Sequence, residues 1–188
     1  DEQLSLAIGR KGQNVKLASG LTNLEIDILT EEEESERRQQ EFKDKSNMLS
    51  EVLDVEDVIA QLLVTEGYVS VNSIATENLE NLEKIEGFDT DLASEILTRS
   101  KNYLKELEQD NIKLIDEKIQ DESLKNIEGM TIPMLAILAK EDILTLNDFA
   151  ELATFELIDK EEGIFKSLDV EEELANNMIM EARKNWFD

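Results

Sequence analysis

The sequence predicts a mainly α fold in which two repeats of short helices follow a small α/β segment. From residue 49 onward, apolar side chains recur three and four residues apart, the spacing of an amphipathic helix. The clearest example is Val55, Val58, Ile59, Leu62 and Leu63. Residues 66–75 also align with residues 141–150 at a constant separation of 75, and every apolar position stays apolar. These observations indicate a duplicated helical domain.

The second half of the repeat aligns at a larger separation. Leu92, Ile96, Leu97 and Lys101 match Leu174, Met178, Ile179 and Arg183 at a separation of 82. The second copy therefore contains about seven extra residues, which we place in a loop near 163–168. We expect five short helices in each copy.

Polar residues that can cap a helix stand before several predicted helices. We expect Asp54 to cap a helix over 55–63 and Thr76 to cap a helix bearing Leu79, Leu82 and Ile85. Ser70 and Thr145 are expected to cap equivalent short helices in the two copies.

The first 30 residues read as helix, tight turn, helix and strand. Residues 3–8 and 13–19 have helical spacing, and 9–12 contains two glycines. Leu24 to Ile28 alternates apolar and acidic residues, which is typical of a half-buried strand. Two helices and one strand are too few for a core, so we expect the chain to begin inside a domain.

Composition argues against an enzyme. The 188 residues include no cysteine and no histidine, which excludes thiol nucleophiles, imidazole acid–base chemistry and the usual zinc sites. Glycine-rich nucleotide-binding motifs are absent from the sequence. Asp89 and Asp91 begin like a calcium-binding loop, but Ser94 stands where that loop needs glycine. We expect no catalytic residues, no metal and no cofactor.

The charge is strongly negative and unevenly spread. The chain has 45 acidic and 19 basic residues, a net charge of −26, and nearly all of this excess follows residue 30. Such a chain is repelled by nucleic acids and anionic membranes unless a local patch reverses the sign. No apolar run has the length of a membrane span, and residues 1–15 lack the charge order of a signal peptide. We expect a cytoplasmic, monomeric protein that binds no membrane.

A short basic turn interrupts this acidity. Its candidate RNA-binding residues are Gly9, Arg10, Lys11, Gly12, Gln13, Asn14 and Lys16. Two glycines allow the backbone to approach a ligand closely, and the bases between them can contact phosphates. The order helix, GxxG loop, helix and strand resembles a KH domain, whose loop clamps about four nucleotides. The structural alternative is an ordinary turn between helices.

Two further glycines lie in apolar-Glu-Gly-apolar turns, Gly87 and Gly129. These turns resemble helix–hairpin–helix modules, which often contact DNA phosphates through backbone amides. Here Glu86, Asp89 and Glu128 stand where bases would favour phosphate. Protein binding is therefore the favoured role, and plain solvated helices around a small core are the alternative.

The stretch from Gln3 to Ser19 resembles the end of the second KH domain of the NusA family of bacterial transcription factors. The remainder resembles the pair of acidic repeats of some members, including the final Ala182 to Phe187. The resemblance implies a C-terminal KH part at 1–30, an acidic helical linker at 31–48, a first acidic repeat at 49–107, a linker at 108–122 and a second acidic repeat at 123–188. The longer segment 160–166 departs from the first repeat, so its turn is expected to be remodelled.

The resemblance also implies a function. Members of the family bind RNA polymerase and nascent RNA and act in pausing, termination and antitermination. Their acidic repeats are associated with binding the C-terminal domain of the polymerase α subunit and with masking the RNA-binding surface. Two other interpretations stay open: a DNA-processing factor that uses its hairpins on duplex DNA, and an acidic nucleic-acid mimic that blocks a basic partner.

Overall fold

The computed structural model describes residues 2–22, 24 and 26–186, and the chain divides into two compact units, Asp1–Lys101 and Asn102–Asp188. Within the described residues the regular structure is entirely helical, which confirms the mainly α prediction. The helices that begin in the first unit are α1 (Glu2–Ile8), α2 (Gln13–Thr22), α3 (Glu31–Leu53), α4 (Asp57–Thr65), α5 (Val71–Ala75), α6 (Leu79–Leu82) and α7 (Thr90–Lys118). Those that follow are α8 (Glu122–Lys125), α9 (Ile132–Lys140), α10 (Leu146–Glu151), α11 (Thr154–Ile158) and α12 (Glu172–Ala182).

The helix starts reproduce the sequence repeat. Helices α9, α10 and α11 each begin 75 residues after α4, α5 and α6, and α12 begins 82 residues after α7. The extra residues fall between α11 and α12, as the two separations predict. The duplication therefore holds at the level of individual helices.

Each unit buries its own apolar side chains. In the first unit the largest fully buried residues are Leu49, Leu53, Leu63, Ile74, Leu82 and Ile96. In the second unit one continuous core includes Leu124, Leu138, Phe149, Leu157, Phe165 and Met178. The predicted linker 108–122 also contributes to this core, because Ile115 and Ile119 are 5% and 0% exposed. Because most residues of 108–122 are polar, the sequence pattern did not indicate that these two isoleucines are core residues.

The insertion in the second repeat is an ordered turn that fills the core. Phe165 is buried, and its backbone N donates to Leu157 O at 2.7 Å. Gly163 N donates to Asp159 O at 3.0 Å. A Cβ added at Gly163 would lie 2.3 Å from Asp159 O, so only glycine fits there. This segment is the remodelled turn that the sequence comparison anticipates.

Two of the capping predictions are confirmed. The Ser70 hydroxyl accepts from Ser73 N, and the Thr145 hydroxyl accepts from Asp148 N. The expected role of Thr76 is wrong, since it ends α5 and its Oγ1 donates to Asn72 O at 2.9 Å. A hydroxyl can accept from an unpaired N–H at the start of a helix or donate to an unpaired C=O at its end. The presence of a threonine therefore does not settle which end it caps.

The expected role of Asp54 is also wrong. Asp54 ends α3 in a left-handed conformation with φ of 49°, and α4 begins only at Asp57. Val55 accordingly lies outside the helix, and Val58 is 64% exposed instead of facing the core. The apolar spacing that predicted one helix therefore includes residues of a turn. Apolar residues of a turn can follow the same three- and four-residue spacing as those of a helix.

The predicted strand near Leu24–Ile28 does not form in the described part of that segment. Residues 26–30 have no regular structure, and Glu25 lies outside the described residues. An extended segment becomes a strand only by pairing with another, and the described residues contain none. Alternation alone therefore does not produce a strand here.

The acidic run at 31–34 starts a helix. Thr30 and Glu33 form a reciprocal capping box, in which Glu33 N donates to Thr30 Oγ1 at 3.1 Å and Thr30 N donates to Glu33 Oε2 at 2.8 Å. Four carboxylates in the first turn also suit the positive end of the helix dipole. Helix α3 runs on to Leu53, so residue 48, the expected linker boundary, lies inside a helix. None of the described helices is long and apolar enough to cross a membrane.

Candidate nucleic-acid loop and hairpin turns

The loop between α1 and α2 (residues 9–12) is a tight turn with positive φ angles. Gly9, Lys11 and Gly12 have φ of 73°, 58° and 73°. Gly9 N donates to Ser5 O at 3.0 Å, which closes α1, and Gly12 N donates to Gly9 O at 3.1 Å. Glycine adopts positive φ without the steric cost that other residues meet. The two glycines thus give the loop its shape, and the GxxG pattern predicted this local geometry.

Asn14 fastens this loop to α1. Its Nδ2 donates to Leu6 O at 2.9 Å, and a Cβ added at Gly9 would lie 2.6 Å from Asn14 Cγ. Only glycine at position 9 allows this close approach. The predicted RNA contact of Asn14 stays a prediction; in the structure its amide nitrogen bonds the end of α1.

The three cations of the loop region lie in water. Arg10, Lys11 and Lys16 are all exposed, and so is Gln13. No ion pair involves these cations within the described part of the chain. These three cations are therefore available to an anionic ligand, because no carboxylate of the described residues pairs with them.

The helices that carry the loop leave apolar side chains in water. Leu6, Leu17 and Leu21 are 74%, 65% and 87% exposed, and α2 buries no residue. Burial of such side chains stabilises a fold by roughly 1.5–3 kcal/mol each. The helix pair therefore does not form a core of its own.

The two hairpin glycines both have the expected positive φ but occupy different places in the repeat. Gly87 (φ 89°) precedes α7, the last helix of the first repeat, and Gly129 (φ 86°) precedes α9, the first long helix of the second unit. The residue 75 positions before Gly129 is Asp54, which is also left-handed. The shared apolar-Glu-Gly-apolar motif thus marks turns that are not equivalent in the two repeats.

The turn at Gly129 is tied to α12 by a side chain. Glu181 Oε2 accepts a hydrogen bond of 2.9 Å from Glu128 N. Glu181 Oε1 also lies 3.9 Å from Lys184 Nζ, and the Glu181 side chain is 32% exposed. The backbone amide that a hairpin of this type would offer to a phosphate is therefore occupied by a carboxylate of the same unit.

The corresponding turn of the first unit is held by Arg99. Its guanidinium donates to the carbonyls of Leu53 and Asp54, with Nη1 2.8 Å from Leu53 O. It also pairs with Glu95, one helical turn earlier. The sequence analysis missed both Arg99 and Glu181. The repeat aligns the two residues at a separation of 82, but it does not show that either side chain contacts a turn.

Two aspartates hold helix starts in the second unit, those of α8 and α10. Asp121 Oδ2 accepts from Leu146 N at 2.8 Å and Oδ1 accepts from Ser123 N at 2.9 Å. The bond from Leu146 N is the main reason that the pKa of Asp121 lies below its ordinary value. The pKa of Asp148 is also lowered, chiefly by the Thr145 hydroxyl. These carboxylates are structural, since each ionised group satisfies backbone donors at a helix start.

Arg183 closes the other end of the second unit. Its Nε and Nη2 donate to Ala150 O at 2.8 Å and Leu152 O at 2.9 Å, and its guanidinium carbon lies 5.6 Å from the centroid of the Trp186 ring. Phe187, the last residue of the terminal motif, lies outside the described residues. Across the described ranges, no group of three or more acidic residues is arranged to hold a metal ion.

The sequence has relatives among known proteins. Residues 1–36 match the NusA-like second KH domain family. The chain is similar to the transcription termination/antitermination protein NusA of Rickettsia conorii (strain ATCC VR-613 / Malish 7) and to that of Rickettsia prowazekii (strain Madrid E). Each is 41% identical over 155 residues, which is 82% of this chain and 31% of the relative. The chain thus spans about a third of the length of these relatives. With its KH loop at the start and its duplicated acidic repeats behind, the chain belongs to the NusA family and corresponds to the C-terminal part of its members.

Proposed function

We propose that this chain is the regulatory C-terminal part of a transcription elongation factor that acts in pausing, termination and antitermination. The identity with two proteins named for termination and antitermination supports the process. A role in binding, without catalysis, agrees with the absence of histidine and cysteine from the sequence. We place the protein in the cytoplasm as a monomer.

The loop 9–12 is proposed to bind nascent RNA. The observation that carries this proposal is the exposed cationic loop, held in a fixed shape, in a chain whose net charge is −26. Arg10, Lys11 and Lys16 contact phosphates, while Gly9 and Gly12 let the backbone approach. Gln13 extends toward the RNA beside them. A preformed loop loses little conformational entropy when it binds.

The test is a charge reversal in the loop. Arg10→Asp with Lys11→Asp is expected to abolish binding of single-stranded RNA, measured by fluorescence anisotropy on the full chain. The matched control is Lys101→Asp with Lys105→Asp, two exposed cations on α7 that give the same change in net charge. If both double variants weaken binding equally, the effect is one of overall charge and the loop has no special role.

The acidic repeats are proposed to bind proteins, with the C-terminal domain of the RNA polymerase α subunit as the partner. Glu86, Asp89 and Glu128 make the hairpin turns repel phosphate, and Glu181 occupies the amide of Glu128. Electrostatic complementarity then favours a basic protein surface. An NMR titration of the chain with the α-subunit domain tests this: specific binding shifts a contiguous set of amides, whereas diffuse attraction shifts many weakly.

The repeats are also proposed to mask the RNA-binding loop. A tethered acidic segment competes with RNA through its high effective concentration, even where each contact is weak. Saturating α-subunit domain is then expected to increase the RNA affinity of the chain, and salt is expected to reduce the difference. Unchanged RNA affinity in the presence of the partner would remove the masking role.

The variant with Arg10→Asp and Lys11→Asp also tests the alternative that the repeats bind duplex DNA. In the loop double variant, the loop cations no longer contribute, and the hairpin turns of the repeats are the candidates that this experiment tests. No shift of duplex DNA in a gel is expected. Duplex binding that falls steeply with salt would instead assign the repeats to DNA processing.

A further inference from the structure

We propose that an open groove of the first unit receives one large apolar side chain from a basic segment of a partner protein. The groove is formed by the turn 54–56, the start of α4 and the first half of α7, and its volume is about 320 Å³. The inference rests on the proposed role of the acidic repeats in protein binding, and it names the surface of the first repeat that such a partner contacts.

The floor of the groove is apolar and incompletely covered. Val55, Ile59 and Leu92 are half-buried, and Ile96 is fully buried. The volume lies near the lower limit of small-molecule pockets, roughly 300 Å³, so the groove suits one large side chain better than a cofactor. Removal of the half-exposed apolar surface from water favours such binding.

The rim of the groove is acidic. Asp54, Glu56 and Glu95 border it, and all three are exposed. Within the described part of the chain, Asp54 and Glu56 form no ion pair. Arg99 also lines the groove, but its guanidinium donates to Leu53 O and pairs with Glu95. Electrostatic complementarity therefore selects an apolar side chain flanked by lysine or arginine.

The same rim decides against other occupants. A nucleic acid would bring phosphates to these carboxylates, and a second copy of the chain would bring another net charge of −26. A basic protein segment instead gains both from the carboxylates and from the apolar floor.

The equivalent place in the second unit is closed by its own side chains. Met134, the counterpart of Ile59, is only 5% exposed, and Gly129 is the counterpart of Asp54. A Cβ added at Gly129 would lie 2.7 Å from Leu174 Cδ1. Leu174 therefore lies directly against the bare backbone of this turn.

Asp54 prevents the same closure in the first unit. Leu92 is the counterpart of Leu174, and Asp54 carries a Cβ where Gly129 has none. Leu92 therefore cannot approach the turn as closely as Leu174 does, and both Asp54 and Leu92 border the groove. An aspartate in place of a glycine at one turn position thus keeps the groove of the first repeat open.

The experiment titrates the full 188-residue chain with two capped peptides at constant ionic strength, followed by ¹H–¹⁵N NMR. The probes are Lys-Lys-Leu-Lys-Lys and Lys-Lys-Ala-Lys-Lys, which carry the same charge and differ only in the central side chain. The leucine peptide is expected to shift amides of 55–59 and 92–99 saturably and to bind about tenfold more tightly than the alanine peptide. Equal affinity of the two peptides would show diffuse charge attraction and overturn the proposal.

Two substitutions at position 54 separate charge from shape. Asp54→Gly and Asp54→Asn each remove one rim charge, and both residues tolerate the left-handed conformation of this position, φ 49°. Because only Asp54→Gly removes the Cβ, Leu92 is expected to close the groove in that variant and the preference for leucine is expected to disappear. Asp54→Asn is expected to keep the preference. Loss in both variants, or in neither, contradicts the proposed groove.

A further variant covers the case in which Asp54→Gly fails to fold. Val55→Met with Ile59→Met introduces the residues of the second unit, Met130 and Met134, without a change of charge. The longer side chains are expected to fill the groove and to abolish the preference for leucine. A folded double variant that retains the preference would place the bound side chain elsewhere and sink the proposal.

Failure of the groove and failure of the proposed partner are separate outcomes. The α-subunit domain is titrated in parallel with the peptides. If the domain binds while the two peptides bind equally, only the groove proposal fails. If the leucine peptide fills the groove and the domain does not bind, the groove stands and the choice of the α subunit as partner fails.

Discussion

Arg99 and Glu181 occupy equivalent positions of the two repeats and hold the same turn with opposite hydrogen-bond polarity. Arg99 Nη1 donates to Leu53 O at 2.8 Å, whereas Glu181 Oε2 accepts from Glu128 N at 2.9 Å. The two turn residues are themselves 75 positions apart, as the repeat requires. In both repeats a side chain of the last helix thus hydrogen-bonds the backbone of the first turn. It donates to a carbonyl in the first repeat and accepts from an amide in the second.

Removal of Arg99 tests the weight of this link. Arg99→Ala is expected to destabilise the first unit by about 1–3 kcal/mol, since two carbonyls lose a charged donor. Native-state hydrogen exchange of amides in α4 measures the loss within this unit. The control Glu95→Ala removes only the exposed ion-pair partner and is expected to cost less than about 1 kcal/mol. Equal losses would show that the carbonyl contacts contribute nothing beyond the ion pair.

Acid is expected to weaken the second unit through Asp121 and Asp148. Both have pKa values lowered in the folded state, Asp121 chiefly by Leu146 N and Asp148 chiefly by the Thr145 hydroxyl. Their contribution is present above the unfolded pKa, about 4, and is lost as pH falls through the folded value. Thermal unfolding between neutral and strongly acid pH, followed by Trp186 fluorescence, measures this loss. Asp121→Asn is expected to lower stability at neutral pH and to flatten the acid limb, while exposed Asp169→Asn leaves both unchanged.

The ordered insertion of the second repeat depends on Gly163. Gly163→Ala is expected to destabilise the second unit by about 2–3 kcal/mol, because the new Cβ meets backbone atoms of Asp159 that cannot move aside. Chemical unfolding monitored by Trp186 measures the change. Gly20→Ala is the matched control: Gly20 lies within α2 with open space around it, so the substitution is neutral or stabilising there. A neutral Gly163→Ala would mean that the turn adapts without cost.

The salt dependence of RNA binding reports the cations of the loop one at a time. Each phosphate contact to single-stranded RNA contributes about 0.7 to the slope of log K against log salt concentration. Lys11→Ala and Lys16→Ala are each expected to reduce the slope by about this amount. Lys43→Ala, an exposed lysine on α3, is expected to leave it unchanged. Equal slopes for all three variants would contradict phosphate contacts at positions 11 and 16.

Loop shape gives a further prediction. Asn14→Ala removes the bond from Nδ2 to Leu6 O and is expected to weaken RNA binding several-fold while leaving the salt slope unchanged, because no cation is lost. Gln13→Ala, on the exposed side of the same turn, is expected to have a smaller effect. A changed slope in Asn14→Ala would indicate that the residue acts on the placement of the cations and not only on the rigidity of the loop.

Much of this fold follows from local sequence patterns. The repeat separations of 75 and 82 recur in the helix starts, and Ser70 and Thr145 cap where expected. The GxxG loop has the positive φ angles that its glycines indicate. The helix starts, the caps and the loop conformation each depend on residues a few positions apart, so periodicity, capping and turn chemistry determine them.

The errors arise where a contact between distant residues decides. Alternation near Leu24–Ile28 suggested a strand, but pairing requires a second strand. Asp54 was expected to start a helix and instead ends one, and its carbonyl accepts from Arg99, 45 residues later. The polar stretch 108–122 hides Ile119, whose burial depends on helices that follow it.

The amino-acid sequence by itself determined a cationic loop followed by two acidic helical repeats, because charge, spacing and glycine placement are local properties. Only the tertiary structure decided which side chains hold the hairpin turns. Arg99 and Glu181 reach those turns across 46 and 53 residues of chain, and a single hydrogen bond at that separation leaves no periodic trace in the sequence.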